Sequence, residues 1–230
     1  MEKFEHVIAL TGNPNTGKST IFNNLTGLRQ HTGNWPGKTV SRAEGGYKYE
    51  SEKYKVVDLP GTYSLLSTSV DEEIARDFIL FGEPDVTVIV VDATLLERNL
   101  NLVLQIMEIT DKVIMALNMM DEARRKNISI NYEILSKDLG IPVILTEARK
   151  KVGMENLLRN ISDVVSDRYI CKPKRISNFS DNVEKAISLL SKSILHEYPN
   201  LPNVRWVAIR LMEGDQSIIN ALRKEEIKSI

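Results

Sequence analysis

Eight residues near the N-terminus have the types and spacing of a loop that binds phosphate. They run from Gly12 to Ser19 as G-N-P-N-T-G-K-S and match the pattern G-x-x-x-x-G-K-[ST] at every fixed position. Gly12 and Gly17 would let the backbone wrap around an anion, so that several N–H groups point at it. Lys18 could reach the β- and γ-phosphate oxygens of a nucleotide, and the Ser19 hydroxyl could ligate Mg²⁺. The predicted nucleotide contacts of this loop are Gly12, Asn13, Pro14, Asn15, Thr16, Gly17, Lys18, Ser19 and Thr20.

A second motif, D-L-P-G at Asp58–Gly61, follows an apolar strand candidate. An Asp at a strand end can hold Mg²⁺ through a water molecule, and the Gly can offer its N–H to the γ-phosphate. We therefore expect Asp58 to hold Mg²⁺ through water and Gly61 to take part in catalysis. The next residue is Thr62, where Ras-like enzymes carry Gln, so this motif lacks a side chain that orients the attacking water.

A third motif, N-M-M-D at 118–121, fits the N-x-x-D pattern that reads guanine. The Asp121 carboxylate would accept from guanine N1–H and the 2-amino group. Adenine lacks both donors and would leave the carboxylate unpaired, which is costly. Asn118 would brace the base and the Gly12–Ser19 loop. We expect Asn118, Met119 and Asp121 to contact the nucleotide.

The stretch T-E-A-R at 146–149 follows the last strand candidate. In GTPases this loop usually reads S-A-K, and the Ala N–H contacts guanine O6. Ala148 stands at that position, whereas Glu147 replaces the usual Ser, a departure that could loosen the base site. The predicted base contacts are Glu147, Ala148 and Arg149.

The stretch G-N-W-P-G-K-T-V at 33–40 lies where GTPases keep their first switch loop. Thr39 could ligate Mg²⁺ and sense the γ-phosphate. Trp35 beside glycines is expected to be exposed, and the alternative is a Trp packed on its own loop. The predicted nucleotide contacts here are Asn34, Trp35, Pro36, Gly37, Lys38 and Thr39. The predicted Mg²⁺ ligands are Ser19, Thr39 and, through water, Asp58.

The elements that must position these motifs alternate between strand and helix patterns. Predicted strands cover 7–10, 47–49, 53–57, 86–91, 112–117 and 142–145. Predicted helices cover 19–25, 71–81, 95–109, 132–139, 154–165, 181–196, 204–212 and 215–222. This order predicts an α/β fold: a P-loop GTPase domain with a mostly parallel sheet and helices on both faces, then a small all-α domain. We expect a G domain at 1–166, a linker at 167–180 and a helical domain at 181–230, which the end of the chain could truncate.

Composition further narrows the possible classes of protein. The net charge is -1, which gives no electrostatic case for nucleic acid. A single cysteine rules out an internal disulfide, and no apolar run approaches the ~18 residues of a membrane helix. We expect a soluble chain in a reducing compartment, which leaves open that it is the soluble part of a longer membrane protein.

Together, the motifs G-N-P-N-T-G-K-S, N-W-P-G-K-T-V, D-L-P-G-T-Y-S-L and N-M-M-D resemble the N-terminal cytoplasmic part of the FeoB family, the bacterial ferrous iron transport proteins. The resemblance extends to W-V-A-I-R-L-M-E-G-D at 206–215 and so covers nearly the whole chain. It implies a GTPase that binds GTP and GDP with Mg²⁺, followed by a helical domain that favours GDP retention. It also implies a membrane-spanning Fe²⁺ permease region beyond this chain, gated by nucleotide state. The implied location is the cytoplasmic face of the bacterial inner membrane, with a homo-oligomer as a possible state.

The resemblance further implies that Asn15 coordinates K⁺ beside the β- and γ-phosphates. A cation there would stabilise developing charge as an arginine finger does. The alternative is that Asn15 only shapes the loop. Arg29 or Arg42 could instead reach in, or main-chain atoms at 62–64 could hold the water. The predicted catalytic residues are Lys18, Asn15, Thr39 and Gly61, and the expected enzyme is a slow GTPase that K⁺ could stimulate.

Two other functions share these motifs. A GTPase of ribosome assembly or RNA modification often has N-x-x-D and lacks the Gln. The net charge and the lack of a basic or aromatic RNA platform in the helical tail argue against it. The other alternative is a slow switch that holds GDP and acts through a partner.

Overall fold

The computed structural model describes residues 4–27, 30–66, 69–175, 179–199 and 201–223. The strands in these ranges are β1 (His6–Gly12), β2 (Gln30–Asn34), β3 (Ser41–Tyr49), β4 (Glu52–Asp58), β5 (Val86–Asp92), β6 (Val113–Asn118) and β7 (Val143–Leu145). They form one sheet in the order β2-β3-β4-β1-β5-β6-β7. The strands from β4 to β7 in this order pair in parallel, whereas β3 joins β4, and β2 joins β3, in antiparallel orientation. The predicted α/β fold with a mostly parallel sheet is confirmed.

The helices agree closely with the predicted ones. They are α1 (Lys18–Thr26), α2 (Val70–Phe81), α3 (Leu96–Ile109), α4 (Met120–Arg125), α5 (Tyr132–Leu139), α6 (Met154–Val165), α7 (Asp181–Glu197), α8 (Val204–Met212) and α9 (Gln216–Arg223). Among the α-helices of the described residues, only α4, a helix of six residues, lacks a counterpart among the predicted helices. Within the described ranges, no helix is both long enough and apolar enough to cross a membrane.

Helices cover both faces of the sheet. Every residue of β5 is buried, as its unbroken run of β-branched residues predicts for a central parallel strand. One face packs against α1 and α6, which contribute Phe22 and Leu157. The other face packs against α2 and α3, which contribute Phe78 and Leu102. The sheet is thereby fixed between two apolar layers, and the loops at the carboxyl ends of its strands form one edge.

The C-terminal helices share the apolar cluster of α2 and α3. Their buried members include Ile187, Trp206, Val207 and Ile218. Two polar contacts join the same surfaces. The Asn203 amide donates to the carbonyl oxygens of Glu108 and Ile109, each at 2.6 Å, at the end of α3 where helix carbonyls lack intrahelical partners. Arg76 of α2 is buried and donates to the Ser217 hydroxyl of α9 at 2.8 Å. The helical segment therefore buries its apolar faces against the first domain.

The edge of the sheet differs from the prediction. β3 is longer than the predicted strand at 47–49, and β2 adds a further strand outside it. Gly33 and Asn34, expected in a loop, lie in β2 and pair with β3. The sequence Q-H-T-G-N of β2 is polar and shows no alternation, because an edge strand at the rim has no apolar layer to match.

Residues 35–40 form the tip of the β2–β3 hairpin, here called the hairpin tip. The Lys38 N–H donates to the Trp35 carbonyl at 3.0 Å and closes a four-residue turn. The intervening Pro-Gly pair, whose Gly37 has φ +67°, provides the residues that a type II turn requires at its two central positions. The predicted switch loop is thus a tight hairpin turn.

Candidate functional site

The Gly12–Ser19 loop connects β1 to α1 and runs very close to neighbouring strand ends. A Cβ at Gly12 would lie 2.4 Å from the Val90 carbonyl oxygen of β5. A Cβ at Gly17 would lie 2.3 Å from Nδ2 of Asn118, and Gly17 also has φ +87°, which favours glycine. Both glycines are therefore required by the path of the backbone.

Lys18 begins α1 and contacts the carboxylate of Asp58 at the end of β4. The two side chains are only 13% and 17% exposed. Burial raises the pKa of the Asp58 carboxyl, and the adjacent Lys18 ammonium partly offsets that rise. Gly61 follows on the same side, where a Cβ would lie 3.5 Å from Cα of Pro14. The D-L-P-G motif and the Gly12–Ser19 loop are thus in contact.

Asn118, at the end of β6, links its own strand to two other segments. Its side-chain amide donates to the Thr16 carbonyl at 2.9 Å. Its side-chain oxygen accepts from the Thr146 hydroxyl at 3.1 Å and from the Ala148 N–H at 3.0 Å. Asn118 is 3% exposed, so these bonds form away from water. Asn118 thus contacts the Gly12–Ser19 loop, whereas its predicted bracing of the base stays a prediction. The Ala148 N–H, expected to face guanine, donates to Asn118.

Two acidic and two basic side chains alternate beside Asn118, in the order Arg124, Glu147, Lys150 and Asp121. The Lys150 ammonium lies 2.9 Å from Asp121 Oδ2 and 3.1 Å from Glu147 Oε2, and Arg124 contacts Glu147 Oε1. Hydrogen bonding from Lys150 lowers the pKa of Asp121. Hydrogen bonds from Arg124 and Lys150 lower the pKa of Glu147. Both carboxylates are therefore held in their charged form.

These segments line one cavity of about 520 Å³. Its lining residues are Asn13, Pro14, Asn15, Gly17, Lys18, Ser19, Thr20, Gly61, Asn118, Met119, Asp121, Glu122, Glu147, Ala148 and Arg149. The predicted contacts Gly12, Thr16 and Asp58 do not line it, although Asp58 contacts Lys18 and the Thr16 carbonyl accepts from Asn118. Sequence reasoning missed Glu122 and the neighbouring Lys150, and their nearness to the predicted Asp121 and Arg149 was the only available signal.

The residues that line the cavity fit a phosphorylated nucleotide with a divalent cation. Lys18 lines the cavity and contacts Asp58 outside the lining, so this end carries the opposite charges that phosphate and Mg²⁺ require. Asn13 is 3% exposed, and neither polar atom of its side-chain amide has a hydrogen-bond partner among the described residues. A buried amide of this kind is suited to a polar ligand.

The hairpin tip does not line this cavity. None of the predicted contacts from Asn34 to Thr39, all of which the structure describes, is among its lining residues. The expectation that Trp35 is exposed is wrong: the side chain is 5% exposed. Its ring meets Phe78 of α2 edge to face, with centroids 5.5 Å apart, and Arg42 lies 4.5 Å from its centroid. Trp35 thus packs on another element, because a large apolar ring gains more from burial there than from solvent.

Thr62 and Arg42, at positions considered for orienting the attacking water, do not line the cavity. Thr62 is 4% exposed, and its hydroxyl has no partner among the described residues. Arg42, one of the two candidate arginines, pairs with Glu44 at 2.5 Å as well as stacking on Trp35. The other candidate, Arg29, lies outside the described residues.

The site therefore consists of loops at the carboxyl ends of β1, β4, β6 and β7, gathered on one edge of the sheet. A glycine-rich loop before a helix, D-L-P-G and N-x-x-D in this order define a G domain of the P-loop GTPase type. A small helical domain follows it.

Comparison with known families identifies the group within this class. The model for "Ferrous iron transport protein B" matches residues 6–161, and that for "FeoB cytosolic helical domain" matches residues 179–230. The chain belongs to the FeoB family, as its cytosolic G domain with the attached helical domain. This membership does not favour the RNA-directed alternative.

Individual relatives agree with this assignment. The chain is 46% identical over 228 residues to the Fe(2+) transporter FeoB of Methanocaldococcus jannaschii, covering 99% of this chain and 33% of that protein. The chain thus spans about a third of the length of this curated relative. The cytosolic domain of Legionella pneumophila FeoB has a TM-score of 0.84 at 35% identity, covering 96% of this chain and 87% of that one. The Thermotoga maritima FeoB cytosolic domain in a GDP form has a TM-score of 0.84 at 34% identity, covering 100% and 88%.

Proposed function

We propose that this chain binds GTP and GDP, hydrolyses GTP slowly, and gates Fe²⁺ uptake through a membrane region beyond this chain. The observation that carries the proposal is that the Gly12–Ser19 loop, Asn118 and Asp121 line one cavity. The GDP form of the Thermotoga relative supports the nucleotide. The name and length of the Methanocaldococcus transporter support the iron cargo and the further membrane region. The implied location is the cytoplasmic face of the bacterial inner membrane, where the chain could form a homo-oligomer.

The residues of the site would divide the work of phosphate binding. Lys18 and the backbone N–H groups of the Gly12–Ser19 loop would hold the β- and γ-phosphates. Ser19 and, through water, Asp58 would hold Mg²⁺, which neutralises phosphate charge when bound. The Gly61 N–H would face the γ-phosphate. Thr39 is exposed on the hairpin tip outside the cavity, so it would become a ligand only after that tip moves.

Asn15 is the candidate for a K⁺ ligand. It lines the cavity, it is exposed, and its φ of +66° is one that Asn adopts more readily than most residues. The side chain could therefore bind a cation, or the backbone conformation could be its whole role. Asn15→Gly separates these two roles, because glycine keeps the positive φ without strain but lacks the amide.

The test is GTP hydrolysis by the purified chain in KCl and in NaCl, with ATP as the control substrate. We expect K⁺ to stimulate GTP hydrolysis in the wild type and in neither Asn15→Gly nor Asn15→Ala. Stimulation that persists in Asn15→Gly would assign the residue a backbone role only. Turnover of ATP as fast as GTP would overturn the guanine assignment of Asn118 and Asp121.

We also propose that the helical domain retains GDP, with a G domain at 1–166, a linker at 167–180 and the helical domain at 181–230. The shared apolar cluster of α2, α3 and the C-terminal helices supports coupling between the two units. Release of a fluorescent GDP should be faster from a chain that ends after Ser166, provided that circular dichroism shows it folded. An unchanged release rate in the folded truncation would contradict the retention role.

A further inference from the structure

Four alternating charges lie where guanine would be read, and two of them, Asp121 and Glu147, line the cavity. In order, Arg124 contacts Glu147, Glu147 contacts Lys150, and Lys150 contacts Asp121. Asp121 is the residue proposed to accept from guanine. Lys150 is not part of any nucleotide-binding pattern in this sequence, yet its ammonium lies 2.9 Å from Asp121 Oδ2.

The oxygens of Asp121 are already in use. Oδ1 accepts the Glu122 N–H at 3.1 Å, and Oδ2 accepts from Lys150. Guanine would present N1–H and the 2-amino group to this carboxylate, and an ammonium presents N–H donors with a full positive charge. The Lys150 ammonium and guanine would therefore compete for the same acceptor, the Asp121 carboxylate.

We propose that Lys150 is a built-in competitor of guanine for the Asp121 carboxylate, and so a determinant of how tightly this chain holds its nucleotide. This inference rests on the proposed nucleotide function. A base entering the site displaces Lys150 from Asp121. The Ala148 N–H, which would donate to guanine O6, is likewise already in use, because it donates to the Asn118 side-chain oxygen.

Glu147 sets the strength of this competition. It replaces the Ser that the loop usually carries, and its side chain is only 10% exposed. Because Glu147 lies 3.1 Å from Lys150, a displaced ammonium keeps one carboxylate partner and loses only the other. The Lys150 side chain is 58% exposed, so its pair with Asp121 belongs to the weak class of surface ion pairs. The expected effect on nucleotide affinity is therefore about two- to fivefold.

The test is equilibrium and stopped-flow binding of a fluorescent GDP to the purified chain at low and high KCl. Lys150→Met should bind GDP about two- to fivefold more tightly than wild type at low salt, and high salt should shrink the difference. Lys151→Met is the matched control. It removes the same charge from the next residue, which is exposed, and so reports the general effect of one fewer cation near a polyanion.

A second variant should change GDP affinity in the opposite direction. Among the described residues, Glu147→Gln leaves Lys150 with Asp121 as its only charged partner, so GDP should bind more weakly than in wild type. In the Lys150→Met background the same change should have little effect. NMR titration adds an independent readout: the pKa of Asp121 should rise in Lys150→Met, because Lys150 is the main group that lowers it.

The outcomes separate the competition from the nucleotide function. If Lys150→Met binds GDP no more tightly than Lys151→Met while both bind it, the competition is refuted and guanine binding stands. If neither the wild type nor Lys151→Met binds GDP, the proposed nucleotide function fails. Tighter binding by Lys150→Met alone, with the raised pKa of Asp121, supports the inference.

Discussion

Replacing Asn118 by Ala tests whether one buried amide holds the site together. The change removes one bond that Asn118 donates to Thr16 and two that it accepts, from Thr146 and Ala148. A net hydrogen bond contributes about 1 kcal/mol, so three bonds amount to about 3 kcal/mol of unfolding free energy. The Ala148 N–H, in a residue that is 3% exposed, would also lose its acceptor. In a chain of this size such a loss corresponds to about 6–12 °C in Tm.

Urea unfolding of wild type and Asn118→Ala measures this free energy. Asn101→Ala is the matched control, because that Asn is exposed on α3 and accepts one long bond, at 3.5 Å from Gln105. We expect the control to change stability by less than about 0.5 kcal/mol. Amide exchange at Ala148 should become faster only in Asn118→Ala. A loss below about 1 kcal/mol in Asn118→Ala, with exchange unchanged, would refute the reasoning that this amide joins the three segments.

Gly17→Ala should cost about 3 kcal/mol or more, because left-handed strain adds to a Cβ approach of 2.3 Å to a buried amide. Gly214→Ala is the control, at φ +77° with no atom within 4 Å of an added Cβ, and it should cost only about 1 kcal/mol in urea unfolding. Equal losses in the two variants would contradict a role for the close approach at Gly17. Trp35→Ala should cost about 3 kcal/mol by emptying a buried site, and a loss below about 1 kcal/mol would show that the ring packs weakly. Burial raises the pKa of Asp58 above its ordinary value despite the nearby Lys18. The contribution of this carboxyl to stability is therefore complete below the unfolded pKa and is lost as pH rises through the folded pKa. Asp58→Asn should remove that decline from unfolding free energies measured as pH rises above the unfolded pKa of Asp, and the same slope in the variant would count against it.

The sequence predicts most of the sheet and helices because their signals are local. The run V-T-V-I-V-V of β5 is buried on both faces, and a central parallel strand needs such a run. Helices α5, α6 and α8 have the predicted bounds, since apolar spacing and the flanking Gly, Pro or Asn residues define their ends. The Gly12–Ser19 loop is predictable because its residue types are dictated by its chemistry.

What escaped prediction depends on contacts between distant residues. β2 exists because β3 provides its hydrogen-bond partners, and its own polar residues carry no strand pattern. The position of Trp35 depends on Phe78, which lies 43 positions further along the chain, and glycine neighbours gave the opposite expectation. The contact between Lys150 and Asp121 likewise joins α4 to the segment that follows β7. Such pairings follow from the assembled fold, and composition or spacing contains no signal for them.

The hairpin at the sheet edge limits how far Thr39 can travel. Ser41, two residues later, begins β3 and pairs with Asn34. Consecutive Cα atoms are 3.8 Å apart, so the Cα of Thr39 stays within about 7.6 Å of the Cα of Ser41 while that pairing lasts. A larger excursion requires the β2–β3 ladder to open from this end, one backbone pair at a time. The range of Thr39 is therefore set by the integrity of an edge strand, and a nucleotide that drew Thr39 beyond it would have to detach part of the sheet.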